Sequence, residues 1–283
     1  MIFAGGVVNP PVSFADSPLY TRGPLGAPNS NLSESKKHRK KGKSVKTIYA
    51  LGFFDGVHIG HQALLEKCRA IALETGCRTG VITFDTHPLA FLTGKNPGLL
   101  TTAEDRDFLL HQRFHMDTVV ILPFPQVQSM PWQDFLAMMV QTHQAAGFVC
   151  GDDFRFGRKG EGNADLLSRF CREQNFPFAM VPEQSLDGIR VSSTYIRRLL
   201  EAGQMEEANR FLGHPHILSG TVEHNAISIP ELLICPKEGT YLCQIQGREI
   251  KVMIQNRTAR PLDDIWLENG KLSVWLLKKM AGR

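Results

Sequence analysis

Gly52-Phe53-Phe54-Asp55-Gly56-Val57-His58-Ile59-Gly60-His61 decides the reading of this 283-residue chain. It follows a short apolar run, Thr47–Leu51, and precedes an amphipathic stretch over residues 62–74. The order is strand, glycine-bearing turn, helix. The turn brings two imidazoles, His58 and His61, to the point where a helix begins. A helix N-terminus has unpaired N–H groups and a partial positive charge, so it attracts phosphate. Gly56 and Gly60 lack the Cβ atoms that would hold a ligand off the backbone. The stretch predicts a phosphate site with two added hydrogen-bond donors. Taken alone, His-x-Gly-His is equally compatible with two surface histidines in a loop, and the rest of the chain separates these readings.

Downstream, short apolar runs alternate with helical patterns. Strands are predicted over residues 48–53, 79–84, 118–122, 147–150 and 177–181, and helices over 62–74, 102–114, 132–142 and 163–174. Thr102 and Asp105 have capping-box spacing. This alternation predicts an α/β fold with a parallel sheet covered on both faces, and ligands in such sheets sit at the carboxyl ends of the strands. Helices over 194–202 and 205–212 are expected next. From residue 217 the texture changes to β-prone runs at 217–222, 240–244, 249–255 and 272–277, separated by turn signals such as Asn269-Gly270. The expected organisation is a sheet domain over 47–212 and a small antiparallel unit over 213–283.

Composition bounds the partners. Residues 1–46 carry eight Lys and Arg against two acidic side chains, and the rest of the chain carries 24 against 26. The formal charge of +4 therefore belongs to a Pro-, Gly- and Ser-rich tail, read as a disordered basic extension. The near-neutral body gives no reason to expect a nucleic-acid partner. No apolar run approaches the roughly 20 residues of a membrane span, and the N-terminus does not read as a signal peptide. The six cysteines form no Cys-x-x-Cys pair, which suits a reduced, cytoplasmic setting. Self-association is left open.

Three further clusters bear on chemistry. Phe84-Asp85-Thr86-His87-Pro88 closes the second strand and can wall a pocket. Residues 151–162 combine glycines, cations and two aromatics, with Asp153, Phe154, Arg155 and Phe156 at the centre, which suits a phosphate-bearing aromatic ligand. Ser192-Ser193-Thr194 opens a helix, with Arg197 one turn on, a second phosphate grip. None supplies an obligatory covalent nucleophile, and there is no Gly-x-Ser-x-Gly elbow or Gly-x-x-x-x-Gly-Lys-Ser/Thr loop. Positioning and charge stabilisation are what direct nucleotidyl transfer needs.

Gly52–His61, Gly151-Asp152-Asp153-Phe154-Arg155-Phe156-Gly157, Val191-Ser192-Ser193-Thr194 and Leu212-Gly213-His214-Pro215, in this order and spacing, resemble the adenylyltransferase half of the bacterial bifunctional riboflavin kinase/FAD synthetase family. The resemblance implies a Rossmann-like nucleotidyltransferase sheet and the reaction ATP + FMN → FAD + pyrophosphate, assisted by Mg²⁺ carried on the ATP phosphates. It implies that His58, His61, Ser193, Thr194 and Arg197 are catalytic. It places ATP against Gly52, Phe53, Phe54, Gly60, Asp153, Arg155 and Ser192, and the flavin against Phe84, Asp85, His87, Pro88, Phe154 and Phe156. The alternatives are a related nucleotidyltransferase with another phosphate acceptor, or a non-catalytic flavin-binding protein.

The chain departs from the family pattern in three places. Phe53 stands where a polar residue is frequent, and Thr86 replaces the first proline of Phe-Asp-Pro-His-Pro. Gly220-Thr221-Val222-Glu223-His224 resembles the start of the kinase half, but Asn225-Ala226-Ile227-Ser228-Ile229-Pro230 follows, with no Pro-Thr-Ala-Asn. The C-terminal unit is therefore expected to be a shortened, barrel-like remnant without kinase activity.

Overall fold

The computed structural model describes residues 45–281. The basic extension expected over residues 1–46 lies, apart from Val45 and Lys46, outside the described residues.

The described residues begin with β1 (Thr47–Leu51), α1 (Ile59–Thr75), β2 (Arg78–Phe84), α2 (Pro88–Thr93), α3 (Ala103–Phe108), β3 (Thr118–Leu122), α4 (Phe124–Ser129), α5 (Trp132–Gln141) and β4 (Ala145–Gly151). A two-residue ladder, β5 (Arg155–Phe156) with β6 (Gly162–Asn163), precedes α6 (Ala164–Glu173) and β7 (Phe178–Val181). A small hairpin, β8 (Ser185–Leu186) and β9 (Ile189–Arg190), leads into α7 (Ser193–Ala202) and α8 (Met205–Leu212). The remaining strands are β10 (His216–Glu223), β11 (Ala226–Ser228), β12 (Gly239–Ile245), β13 (Arg248–Gln255), β14 (Thr258–Pro261) and β15 (Gly270–Lys279).

Five strands form a parallel sheet in the order β3-β2-β1-β4-β7. β1 is central and buried along its whole length. Successive side chains of a strand point to opposite faces. Accordingly Ile48 and Ala50 join Leu64, Leu65 and Cys68 of α1, whereas Tyr49 and Leu51 join Phe135 and Leu136 of α5 and Leu167 of α6. The chain runs outward from β1 to β3 and then returns to β4 on the other side. This reversal puts the topological switch point at the carboxyl ends of β1 and β4, where such sheets bind their ligands.

The C-terminal strands close into a six-stranded antiparallel barrel, β10-β11-β14-β13-β12-β15. The barrel interior is continuous with the apolar faces of α7 and α8: Ile196, Leu199, Leu200, Ala208 and Phe211 pack in one cluster with Leu218, Val252, Val274 and Leu276. A second join is polar. The Asp105 carboxylate on α3 accepts hydrogen bonds from Ser219 (2.7 Å) and Ser273 (3.0 Å) of the barrel. Among the described residues, no helix is long and apolar enough to cross a membrane.

The α/β class and every predicted strand of the sheet are present. β1 ends at Leu51, two residues before the predicted end, because Phe54 takes a left-handed conformation (φ 57°) that breaks the pleat. The helix expected over 102–114 is α-helical to Phe108 and continues as a π turn over Leu109–Arg113. Helices α2 and α4 were not predicted. Each has only six residues and a proline in its first turn, so it reads as loop. Strands β11 and β14 also escaped prediction, β11 for its three-residue length and β14 for its terminal proline.

Candidate active site

The turn between β1 and α1 is unusual in its backbone. Phe54, Gly56 and Val57 all have positive φ. A Cβ on Gly56 would lie 2.8 Å from the Leu100 side chain, so only glycine fits there. This geometry is fixed from outside the turn. Thr101 Oγ1 accepts from Gly56 N (3.1 Å), and the buried His214 ring faces Gly56 O through Nε2 (2.9 Å). Gln62 Nε2 donates to both Val57 O (2.9 Å) and Leu212 O (2.7 Å). Ser193 Oγ donates to Asp55 O (3.2 Å).

Asp55 is the hub. Its Oδ1 accepts from the backbone of Leu100 (2.9 Å) and Thr101 (3.1 Å), and its Oδ2 is 2.5 Å from Arg197 Nη2. Burial raises its pKa, while Arg197 first, then Arg106 and the backbone donors, oppose the shift. Arg197 also donates through Nε to Gly98 O (2.5 Å) and is buried. Its guanidinium therefore ties α7 to the turn.

His58 is the N-cap of α1, its Nδ1 accepting from His61 N at 3.4 Å, which leaves the ring proton on Nε2. The His58 and His61 rings stack at 3.7 Å and 15°, and Phe54 lies 5.0 Å from the His61 ring. A Cβ on Gly60 would already touch the His58 ring at 3.2 Å. Burial pushes the His58 imidazole down to about 3, and burial with the neighbouring His58 and Arg106 pushes His61 well below its usual value. Both rings are neutral at pH 7, donors without a fixed charge.

The other sequence-predicted residues fall in three groups. Ser192 caps α7, accepting from Tyr195 N (3.2 Å); beside it Ser193 faces the turn and Thr194 is exposed. At the end of β2, His87 caps α2 and Pro88 is its first residue, with Asp85 Oδ1 accepting from Phe124 N (3.0 Å). Burial pushes His87 down to about 4, aided by the Arg197 and Arg106 cations. The Phe53 ring meets His87 edge-on at 4.7 Å, and Thr83 Oγ1 donates to Phe53 O (2.7 Å). After β4, Phe154 is half-buried and stacks on Phe156, whereas Asp153 and Arg155 are exposed. Phe84 and Phe156 point into the core beneath the strand ends, and Gly52 N donates to Ile82 O (3.2 Å).

Sequence reasoning missed Thr101, Gln62, the anchoring role of Asp55 and His214, and above all Arg106. Arg106 is completely buried; its Nη2 donates to Phe84 O (2.5 Å) and its guanidinium lies 4.5 Å from the centre of the Phe53 ring. Burial pushes its pKa down to about 10, still cationic at pH 7. Only its place immediately after the capping box signalled that it could turn inward. Among the described residues, no group of three or more His, Cys, Asp or Glu side chains could hold a metal. Both oxygens of Asp55 are committed within the protein.

The family model for FAD synthetase matches residues 40–195. The bifunctional riboflavin kinase/FMN adenylyltransferase of Listeria monocytogenes is 33% identical over 212 residues, covering 70% of this chain and 67% of that protein. The proteins of the same description from Buchnera aphidicola and Bacillus subtilis are 34% and 32% identical, each covering 66% of this chain; the match spans 61% and 60% of their lengths, less than two thirds. A crystal structure described as a macrolide-efflux protein from Streptococcus pneumoniae aligns with TM-score 0.71 and 23% identity, over 84% of this chain and 86% of that one, a likeness of fold alone. With more than half of its length matched by the family model, the chain belongs to the FAD synthetase family.

Proposed function

We propose that this chain transfers AMP from ATP to FMN, giving FAD and pyrophosphate, in the cytoplasm and without riboflavin kinase activity. The observation that carries the reading is the stacked, neutral His58–His61 pair at the N-terminus of α1, on a turn locked by Asp55, Arg197 and His214. Preorganised donors of this kind stabilise charge that develops on a phosphoryl group in the transition state. An oxygen of the FMN phosphate attacks the α-phosphorus of ATP, and the bond to the β-phosphate oxygen breaks. His58 and His61 face the reacting phosphates, with Ser193 and Thr194 opening α7 opposite them. Mg²⁺, carried by the nucleotide, neutralises the leaving pyrophosphate.

Of the residues expected on the flavin side, His87 and Phe154 favour FMN over an acceptor without an aromatic ring. The loss of kinase activity rests on residues 225–230, which replace the Pro-Thr-Ala-Asn segment. Purified full-length protein given FMN, ATP and Mg²⁺ is expected to form FAD and pyrophosphate in equal amounts. No product, where a known family member turns over, defeats the reading. Tight FMN binding without ATP consumption would identify a flavin-binding protein instead. With riboflavin in place of FMN no FMN is expected, and its appearance refutes the loss of kinase activity.

A further inference from the structure

Among the described residues, four buried side-chain polar atoms have no hydrogen-bond partner: His61 Nδ1, Arg106 Nε, Arg106 Nη1 and His216 Nε2. Three of the four belong to two side chains of the candidate site. An unpaired buried donor is costly, and on a charged group the cost is larger. The acids that offset the Arg106 charge, Asp55, Asp85 and Asp105, do not take these donors. Asp55 serves Leu100, Thr101 and Arg197, and Asp105 serves Thr102, Ser219 and Ser273. Asp85 turns Oδ1 to Phe124 N. Arg106 is thus a cation held at the carboxyl end of β2 with two nitrogens unmatched. The Phe53 ring lies over the guanidinium, and His87 meets the edge of Phe53.

We propose that Arg106 binds the phosphate of the FMN acceptor, which reaches it when the Phe53 and His87 rings move aside. The proposal rests on the FAD synthetase reading. Bringing a phosphate monoester dianion against the α-phosphorus of ATP sets anion against anion. A planar guanidinium binds phosphate through two parallel N–H bonds and offsets that repulsion without giving up a proton. Nη2 adjoins Nε on one edge of the guanidinium and Nη1 on the other, and it gives one hydrogen to Phe84 O, so one edge keeps the two N–H groups such a contact needs. Arg106 is bonded to β2 beside His87 and Pro88, whereas Ser192, Ser193 and Thr194 approach the turn from α7. Its position therefore selects the acceptor's phosphate over the triphosphate of ATP. Thr86, which stands for the first proline of its loop, and the aromatic Phe53 are both near His87, so two of the chain's departures from its family pattern fall at this edge of the site.

The test compares FMN with riboflavin, which lacks only the phosphate, by flavin fluorescence on the full-length protein, with a non-hydrolysable ATP analogue titrated separately. The wild type is expected to bind FMN at least tenfold more tightly than riboflavin. Arg106→Met, close in length and apolar, is expected to bring FMN down to the riboflavin level while riboflavin and the ATP analogue keep their affinities. Equal wild-type affinities for the two flavins overturn the proposal without any variant. Equal loss of both flavins in Arg106→Met, or loss confined to the ATP analogue, also overturns it. Wild-type protein that binds neither flavin defeats the FAD synthetase reading itself; FAD synthesis with no FMN preference defeats only the role of Arg106.

Discussion

His61 keeps a buried Nδ1 without a partner, an arrangement that costs the folded protein about 1–3 kcal/mol. Sites shaped for chemistry trade stability in this way. His61→Ala is therefore expected to lower kcat roughly a hundredfold or more, by analogy with removing a preorganised donor, while shifting folding stability by about 1 kcal/mol or less because an unpaired polar atom leaves with the ring. Steady-state kinetics beside urea unfolding checks both halves. A near-normal rate removes His61 from the mechanism. The residues of the turn were legible because spacing alone places His58 and His61 at a helix start. The anchors were not: Arg197 in Ser-x-x-x-Arg spacing reads as a phosphate ligand, and only coordinates reveal that it spends its charge on Asp55, 142 positions away. Arg106 was hidden for the opposite reason, since an arginine on a short amphipathic helix reads as a solvated face.

Helix α3 joins two units through neighbouring residues. Asp105 completes the capping box with Thr102 and reaches Ser219 and Ser273 of the barrel, and Arg106 reaches the end of β2. Asp105→Ala removes a cap and strips two partly buried hydroxyls of an acceptor, although Ser219 and Ser273 still meet each other at 2.6 Å. The expected loss is about 2 kcal/mol in urea unfolding. Because α3 also carries Arg106, the variant should weaken FMN binding as well; an unchanged midpoint would show that the clamp contributes nothing. The sequence disclosed the helix and its cap. It did not disclose that the cap's spare oxygen reaches residues 114 and 168 positions on, because such pairings carry no local period. The long strands were legible for the converse reason, as β1 and β4 are continuous apolar runs.

Among the described residues, five imidazoles are pushed far down, chiefly by burial: His58 and His216 to about 3, His87 and His214 to about 4, and His61 well below its usual value. Unfolded, each takes up a proton near pH 6.5. The unfolded chain thus binds more protons than the folded one between about pH 6.5 and 4, so stability is full above that window and falls as the pH drops through it. With five such groups, two of them half-buried and screened by solvent, the loss by pH 5.5 is expected to be about 5 kcal/mol, measured as a fall in urea midpoint from pH 7. A flat profile would contradict the lowered pKa of these rings. The turn that carries His58 and His61 is also spread out in time. It is held by Thr101, Ser193 and His214, at separations of 45, 138 and 158 residues. A ribosome adding about 5–20 residues per second leaves the turn waiting roughly 10–30 s for His214. A nascent chain stopped before His214 holds both histidines but lacks a contact that fixes the turn carrying them, so the site is assembled only after the whole sheet domain has been made.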